Sequence, residues 1–388
     1  MVLRSDFVKK EKKKRTEYYF DYSLLFIVLF LVGFGLMMIY SVSSYEAYTK
    51  YGSESFFLVK QLIAVGIGLV GMAVVTFVPY KWYEKLYGWG YVISFGLLAL
   101  VPIIGIESHG VKRWLPLPGG QQFQPAELAK IAVILFCATM ICKMGKGARK
   151  LGGNLILLLA SGAMALGVYL LTSNLSSAII VLGIGVVMIF VENRNYSVFI
   201  ILAVIGIAAV VAFVMYMKNV GMDDGLSWRF ERIVAWLDPE AHSQGKGFQT
   251  VQALYAIGSG GIWGKGLGQS MQKLGFIPEA QNDMIFSVIC EELGLFGGIL
   301  IIVLFLILLW RMVIIAINAQ DMFGSQLVIG VAAQIAIQVI LNIAVVTNTI
   351  PNTGISLPFI SYGGTSVIFL LLEIGVVMSV ARSIKLVE

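Results

Sequence analysis

Apolar residues in this chain come in long unbroken runs, without the strict alternation of a half-buried strand. A helix needs about 20 apolar residues to cross a hydrocarbon layer. Ten runs approach that length: Tyr22–Tyr40, Leu58–Val78, Leu86–Ile104, Pro125–Cys142, Gly152–Thr172, Leu175–Val191, Tyr196–Met217, Met284–Trp310, Gln326–Val346 and Thr365–Val380. The pattern predicts an all-α polytopic membrane protein with about ten transmembrane helices. Short polar segments join most of the runs. The segment Lys218–Asp283 is too large for a plain connector, and loops of that length usually carry function. Within it, QTVQALYAIGSGG reads as a short helix at the membrane interface.

Basic residues set the orientation. Lys143, Lys146, Arg149 and Lys150 crowd one connection, Arg382 and Lys385 end the chain, and Lys9, Lys10, Lys12, Lys13, Lys14 and Arg15 precede the first run. The positive-inside rule puts all of these in the cytoplasm, with both termini. The loops Ser41–Phe57, Gly105–Gln124, Ser173–Asn174, Lys218–Asp283 and Thr347–Gly364 are then extracytoplasmic. Residues 1–21 read as a basic cytoplasmic tail. Residues 22–388 read as a single integral domain with a large outer loop, 218–283, before the eighth span. The first run lacks a small-residue cleavage site, so no cleavable signal peptide is expected.

Composition agrees: 58% of residues are hydrophobic, 13% are charged and the mean hydropathy is +0.87. Soluble domains carry about 25% charged residues. The net charge of +6 lies largely in the tail, which suits anionic lipid headgroups and gives no sign of nucleic acid. Cys137, Cys142 and Cys290 fall in apolar runs and read as packing residues. His109 and His242 are too far apart for the usual zinc site.

Against this background the few charges near the apolar runs stand out, because ionised groups are costly in hydrocarbon. Asp283 sits where a polar loop meets the eighth run. It reads either as a helix cap or as a general base, and a helix N-terminus favours the ionised form that both roles use. On an ideal helix Glu291 lies about 12 Å deeper and roughly 80° round, so it shares the Asp283 face while Glu292 points away. In GVKRWLPLPGGQQFQPAELAK, Lys112 and Arg113 read as interfacial snorkellers or as a phosphate site. Pro125 opens the next helix, and Glu127 and Lys130, three apart, can pair on one face. Lys130 is also available to an anionic substrate. The cluster GSGGIWGKGLGQS departs from a nucleotide loop at Ser259 and Gly266 and reads as a turn, or as backbone approaching a ligand or membrane surface. PNTGISLPFISYGGTS reads as an irregular outer loop folding back on the bundle. Glu373, inside the last span, reads as a buried pair or a catalytic group.

Together these four segments, in this order and spacing, resemble the SEDS family (shape, elongation, division and sporulation proteins) over nearly the whole chain. RWLPLPGGQQFQPAELAK is similar to the family's RW…QPAE…K segment, LGFIPEAQNDMIFSVICEELG to its LPEAHTDFIFAVIGEELG segment, and TGISLPFISYGGTS to its C-terminal signature. ALYAIGSGG and GLGQSMQK lean toward the FtsW-like division and sporulation branch. Gln281 and Asn282 stand where the family has His-Thr. Ser173, Asn174 and Ser176 stand where it has Pro, Asp and Gly.

The resemblance implies a peptidoglycan glycosyltransferase that polymerises glycan from lipid II, with Asp283 catalytic. Lys112, Arg113, Gln124, Glu127, Lys130, Glu291 and Ser361 are the expected substrate or diphosphate contacts. A divalent cation (Mg or Mn) could share the charge. The expected partners are lipid II, undecaprenyl-linked glycan, a class B penicillin-binding protein and divisome-type proteins. The expected place is the bacterial plasma membrane, with the site facing outward. Two other readings stand beside this one: a lipid II flippase, and a non-catalytic scaffold in a wall-building complex.

Overall fold

The computed structural model describes residues 19–108, 110–116, 122–193, 228–242, 245 and 247–384, with six further helical positions between 199 and 215. The basic tail before residue 19, most of the expected span Tyr196–Met217, the start of the long loop and Lys385 lie outside the described residues. Among the described residues nine helices are long and apolar enough to cross a membrane. The chain is a multi-pass membrane protein.

Helix α1 (Tyr22–Tyr51) begins at Asp21, whose carboxylate accepts the Leu24 N–H at 2.9 Å, and ends at left-handed Gly52. It outruns the expected end at Tyr40 because SVSSYEAYTKY continues the helix beyond the apolar run. A Glu46–Lys50 pair at 2.6 Å supports the extension. Next come α2 (Phe56–Phe77), a 3-10 turn (Tyr80–Leu86) and α3 (Tyr87–Ile104). The expected loop Gly105–Gln124 holds a small antiparallel sheet of β1 (Ile106–Ser108), β2 (Val111–Pro116) and β3 (Gln122–Phe123), in that order. Helix α4 (Pro125–Met144) has Pro in its first turn, where the missing N–H costs nothing. It is followed by α5 (Leu151–Thr172) and α6 (Leu175–Glu192). Two short helices, α7 (Trp228–Leu237) and α8 (Phe248–Gly260), lie in the long loop. The chain ends with α9 (Ile285–Asn318), α10 (Met322–Val346) and α11 (Gly364–Ser383).

Helix α11 is the most enclosed of these spans, with α6 and α10 next, which is why polar residues survive on them. Helix α10 packs against α4, α6 and α9, and α11 runs along α2. The bundle has two unlike ends. At one, Arg149 meets Glu192 at 2.7 Å and Lys81 meets Asp321 at 3.2 Å. Arg311 reaches Asp21 at 2.7 Å and the Tyr19 hydroxyl at 2.6 Å. The Tyr19 N–H donates to the Ile384 carbonyl at 3.3 Å, bringing residues 19 and 384 side by side. The opposite end carries the sheet, the α5–α6 turn, α7, α8 and the 347–363 segment.

Candidate functional site

The loop-rich end is organised around a break in α9. Gly294 has φ 71° and ψ −171°, outside helical values, so the helix ladder is interrupted there. The carbonyls of Glu291 and Glu292 accept instead from the Lys265 and Gly266 N–H groups at 3.0 and 2.9 Å. In return the Leu295 and Phe296 N–H groups donate to Gly261 and Ile262 at 2.9 and 3.2 Å. The glycine cluster therefore brings backbone against α9 through a series of turns. A Cβ on Gly264 would lie 2.2 Å from the Glu292 carbonyl oxygen.

The two glutamates of α9 fasten this loop with their side chains. The Glu291 carboxylate accepts from Lys265 Nζ at 2.7 Å, from the Met271 N–H at 3.1 Å and from the Ser270 hydroxyl. Glu292 accepts from Lys273 Nζ at 2.8 Å and from Ser41 of α1 at 2.9 Å. Both are fully enclosed. Glu292 thus pairs with a neighbouring helix, as expected. Glu291 does not share a face with Asp283: α9 starts at Ile285, so an ideal helix cannot be drawn back to Asp283.

Asp283 is half-buried at the entry to α9. The cap position is Met284, which separates Asp283 from the capping role. Its backbone carbonyl accepts from Asn342 Nδ2 at 2.8 Å, and the same amide group also donates to the Ile355 carbonyl at 2.7 Å. Its Oδ1 lies 3.4 Å from Gln249 Nε2 of α8. Gly354 faces Oδ2, so close that a Cβ there would stand 3.8 Å away. The Tyr362 N–H donates to the Gln281 carbonyl at 2.8 Å, stitching the 357–363 segment to the approach of α9. Asp283 is therefore fixed from α8, α10 and the 347–363 segment.

The other expected residues divide into two groups. Arg113, on β2, donates to the Ser173 carbonyl at 3.4 Å. Asn174 caps α6 by accepting the Ser177 N–H at 3.0 Å, a task the family's Asp would do equally well. The Ser176 hydroxyl donates to the Thr353 carbonyl, beside Gly354. The 173–176 turn thus bridges Arg113 to the segment that flanks Asp283. Lys112 stays at the rim, donating to the Pro102 carbonyl at 3.1 Å, and Gln124 is half-buried at the head of α4.

The second group is withdrawn from the open end. Lys130 and Glu127 form an ion pair at 2.8 Å with side chains 1% and 6% exposed. Glu373 joins this core cluster, accepting from Gln334 Nε2 at 2.8 Å. The Ser361 hydroxyl accepts from the Leu357 N–H at 2.8 Å and shapes its own loop. Glu127, Lys130, Glu291 and Ser361 are enclosed among protein groups. The amides Gln249, Asn342 and Asn352 were not among the expected residues. Only Asn342 carried a signal, as a polar side chain within an apolar span.

This end can do two things chemically. The Asp283 carboxylate is a group that can accept a proton, and the Arg113 guanidinium is one that can pair with an anion.

The chain matches the cell cycle protein family FtsW/RodA/SpoVE over residues 22–386. It is 38% identical to the stage V sporulation protein E of Bacillus subtilis, over 93% of this chain and 97% of that one. It is 36% identical to the probable peptidoglycan glycosyltransferase FtsW of Trichlorobacter lovleyi, over 95% of this chain and 94% of that one. Among solved structures it superposes with TM-score 0.76 at 27% identity on a chain of a structure described as "Structural coordination of polymerization and crosslinking by a peptidoglycan synthase complex", covering 94% of this chain and 98% of that chain. The rod shape determining protein RodA of Thermus thermophilus gives TM-score 0.65 at 26% identity, covering 94% and 97%. Sequence and fold agree: the chain belongs to the FtsW/RodA/SpoVE family, the SEDS family that its motifs resemble.

Proposed function

We propose that this chain is a peptidoglycan glycosyltransferase that builds glycan strands from lipid II at the outer face of the bacterial plasma membrane, in division or sporulation. The observation that carries the reading is Asp283: a carboxylate at the loop-rich end, met by Gln249 of α8, with its backbone carbonyl held by Asn342 of α10, and opposite the basic end.

In the proposed reaction Asp283 takes the proton from the 4-hydroxyl of lipid II. The freed oxygen attacks the anomeric carbon of the growing glycan as its bond to undecaprenyl diphosphate breaks. The leaving diphosphate keeps the electron pair, and one displacement inverts the linkage. Arg113, with Lys112 at the rim, offsets charge on the departing group. Base assistance of this kind is worth about 10²–10⁴-fold. The bundle confines both prenyl-linked reactants, which supplies orientation. A divalent cation enters the proposal only as an ion carried on the diphosphate oxygens. Among the described residues no three His, Cys, Asp or Glu side chains gather to hold one.

Residues 22–388 act here as a single membrane-embedded unit. The solved synthase complex on which this chain superposes is described as coordinating polymerisation with crosslinking. That supports a class B penicillin-binding protein as partner, alongside divisome-type proteins.

Purified protein in liposomes with lipid II tests the reading. The wild-type chain is expected to make glycan strands, and Asp283→Asn, which keeps size and shape, is expected to lose at least about 10²-fold. Lipid II that only crosses between leaflets, or stays unchanged, supports the flippase or scaffold reading and overturns this one.

A further inference from the structure

Two side-chain amides and two backbone groups near Asp283 form a chain with a fixed direction. The Gly354 N–H donates to Asn352 Oδ1 at 3.1 Å. Asn352 Nδ2 donates to Gln249 Oε1 at 2.9 Å. Gln249 Nε2 then faces two acceptors, the Pro278 carbonyl at 3.2 Å and Asp283 Oδ1 at 3.4 Å. Side-chain amides can be turned end for end, so their direction must be read from neighbours of known polarity. Here both ends are such neighbours. A backbone N–H can only donate, so Asn352 must present oxygen to Gly354 and nitrogen to Gln249. A backbone carbonyl can only accept, so Gln249 must present nitrogen to Pro278. The two constraints agree, and the surplus hydrogen of Gln249 is aimed at Asp283.

We infer that Gly354, Asn352 and Gln249 form a one-way amide relay, and that Gln249 is a positioning residue for the Asp283 base. An ionised carboxylate is an acceptor only, and hydrogen bonds to it are the stronger kind. The relay therefore turns one carboxylate oxygen toward α8 and leaves Oδ2 on the side of Gly354. The 3.4 Å separation is long, as catalytic contacts often are before substrate binds. This inference rests on the glycosyltransferase reading above.

The test compares wild type, Q249M and Q249E for kcat and KM with lipid II in liposomes. Glutamate matches glutamine in size and shape, whereas methionine matches it only in carrying no charge. A packing role for Gln249 makes Q249E the milder variant. The relay makes it the harsher one, because Q249E sets carboxylate oxygens against Asp283 and the Pro278 carbonyl. The expected result is a fall in kcat for Q249E at least about tenfold beyond that of Q249M, because both variants lose the hydrogen bond and only Q249E adds like-charge repulsion against Asp283. KM should stay unchanged. The reverse order overturns the inference. N352D tests the other end: it still accepts from Gly354 but cannot donate to Gln249, so kcat should fall similarly, and a wild-type kcat overturns the relay even where Q249E fails to fold. Should the wild-type chain make no glycan, the enzymatic reading falls and the relay is judged by infrared difference spectra. Subtracting D283N isolates the Asp283 carboxylate stretch, which Q249M should shift. An unmoved band overturns the relay.

Discussion

Lys130 is almost wholly enclosed, and Glu127 one turn earlier supplies its counter-charge at 2.8 Å. Removing the ammonium in Lys130→Met leaves Glu127 buried beside Glu373 without compensation, and breaking a buried pair from one side costs about 3–5 kcal/mol. Replacing both partners, Lys130→Met with Glu127→Leu, should recover most of that loss. Thermal unfolding in detergent checks both, and a single variant as stable as wild type would contradict the assignment. The pair itself was legible, since charges three apart on a helix are neighbours. Its enclosure was not, because spacing along one helix says nothing about what the other helices cover. The donors to Glu291 and Ser361 were hidden from the sequence for the same reason, since only the folded loops bring them near. Asp283 was legible because it lies at the edge of an apolar run, where a carboxylate needs a reason to be. Gln249 and Asn352 lie inside segments that the sequence singles out, but nothing in the pattern sets them apart from their polar neighbours there.

At the scale of elements, the runs Leu86–Ile104 and Leu175–Val191 end within a residue of the helices α3 and α6, because apolar length dictates a span. What the runs could not show is where a span is interrupted from within. The break in α9 follows from Gly294 together with the loop that closes over it. Gly264, at φ 80°, is a point of close approach. Gly264→Ala should cost at least about 1–2 kcal/mol from left-handed backbone strain alone. It should also lift the loop from α9, because the new Cβ would overlap the Glu292 carbonyl. Limited proteolysis checks this: segment 265–283 should be cut faster in the variant, and equal protection would count against the stitching of loop to helix. The sheet β1–β2–β3 was missed because its strands are short and lack sustained alternation.

Across the whole molecule, the separation of a basic end from a loop-rich end is the property most plainly written in the chain, since clustered lysines and arginines mark one end. At the basic end Asp321 ties the start of α10 to the α2–α3 connection. Its carboxyl is raised by burial but lowered more by the Gly324 N–H, the Tyr80 hydroxyl and Lys81, and the net direction is below its ordinary value. A depressed acid stabilises the fold above its unfolded value, and that contribution disappears as pH falls through the folded one. The melting temperature of Asp321→Asn should therefore lie below wild type at neutral pH and converge with it in strong acid. A gap that persists unchanged into acid would exclude ionic tethering. The bond from Tyr19 to Ile384 adds an architectural consequence. Residues 19 and 384 meet like the clasp of a bracelet, so a short peptide splice between these two positions would not cross the bilayer, and new openings could be cut at exposed turns while every helix keeps its neighbours.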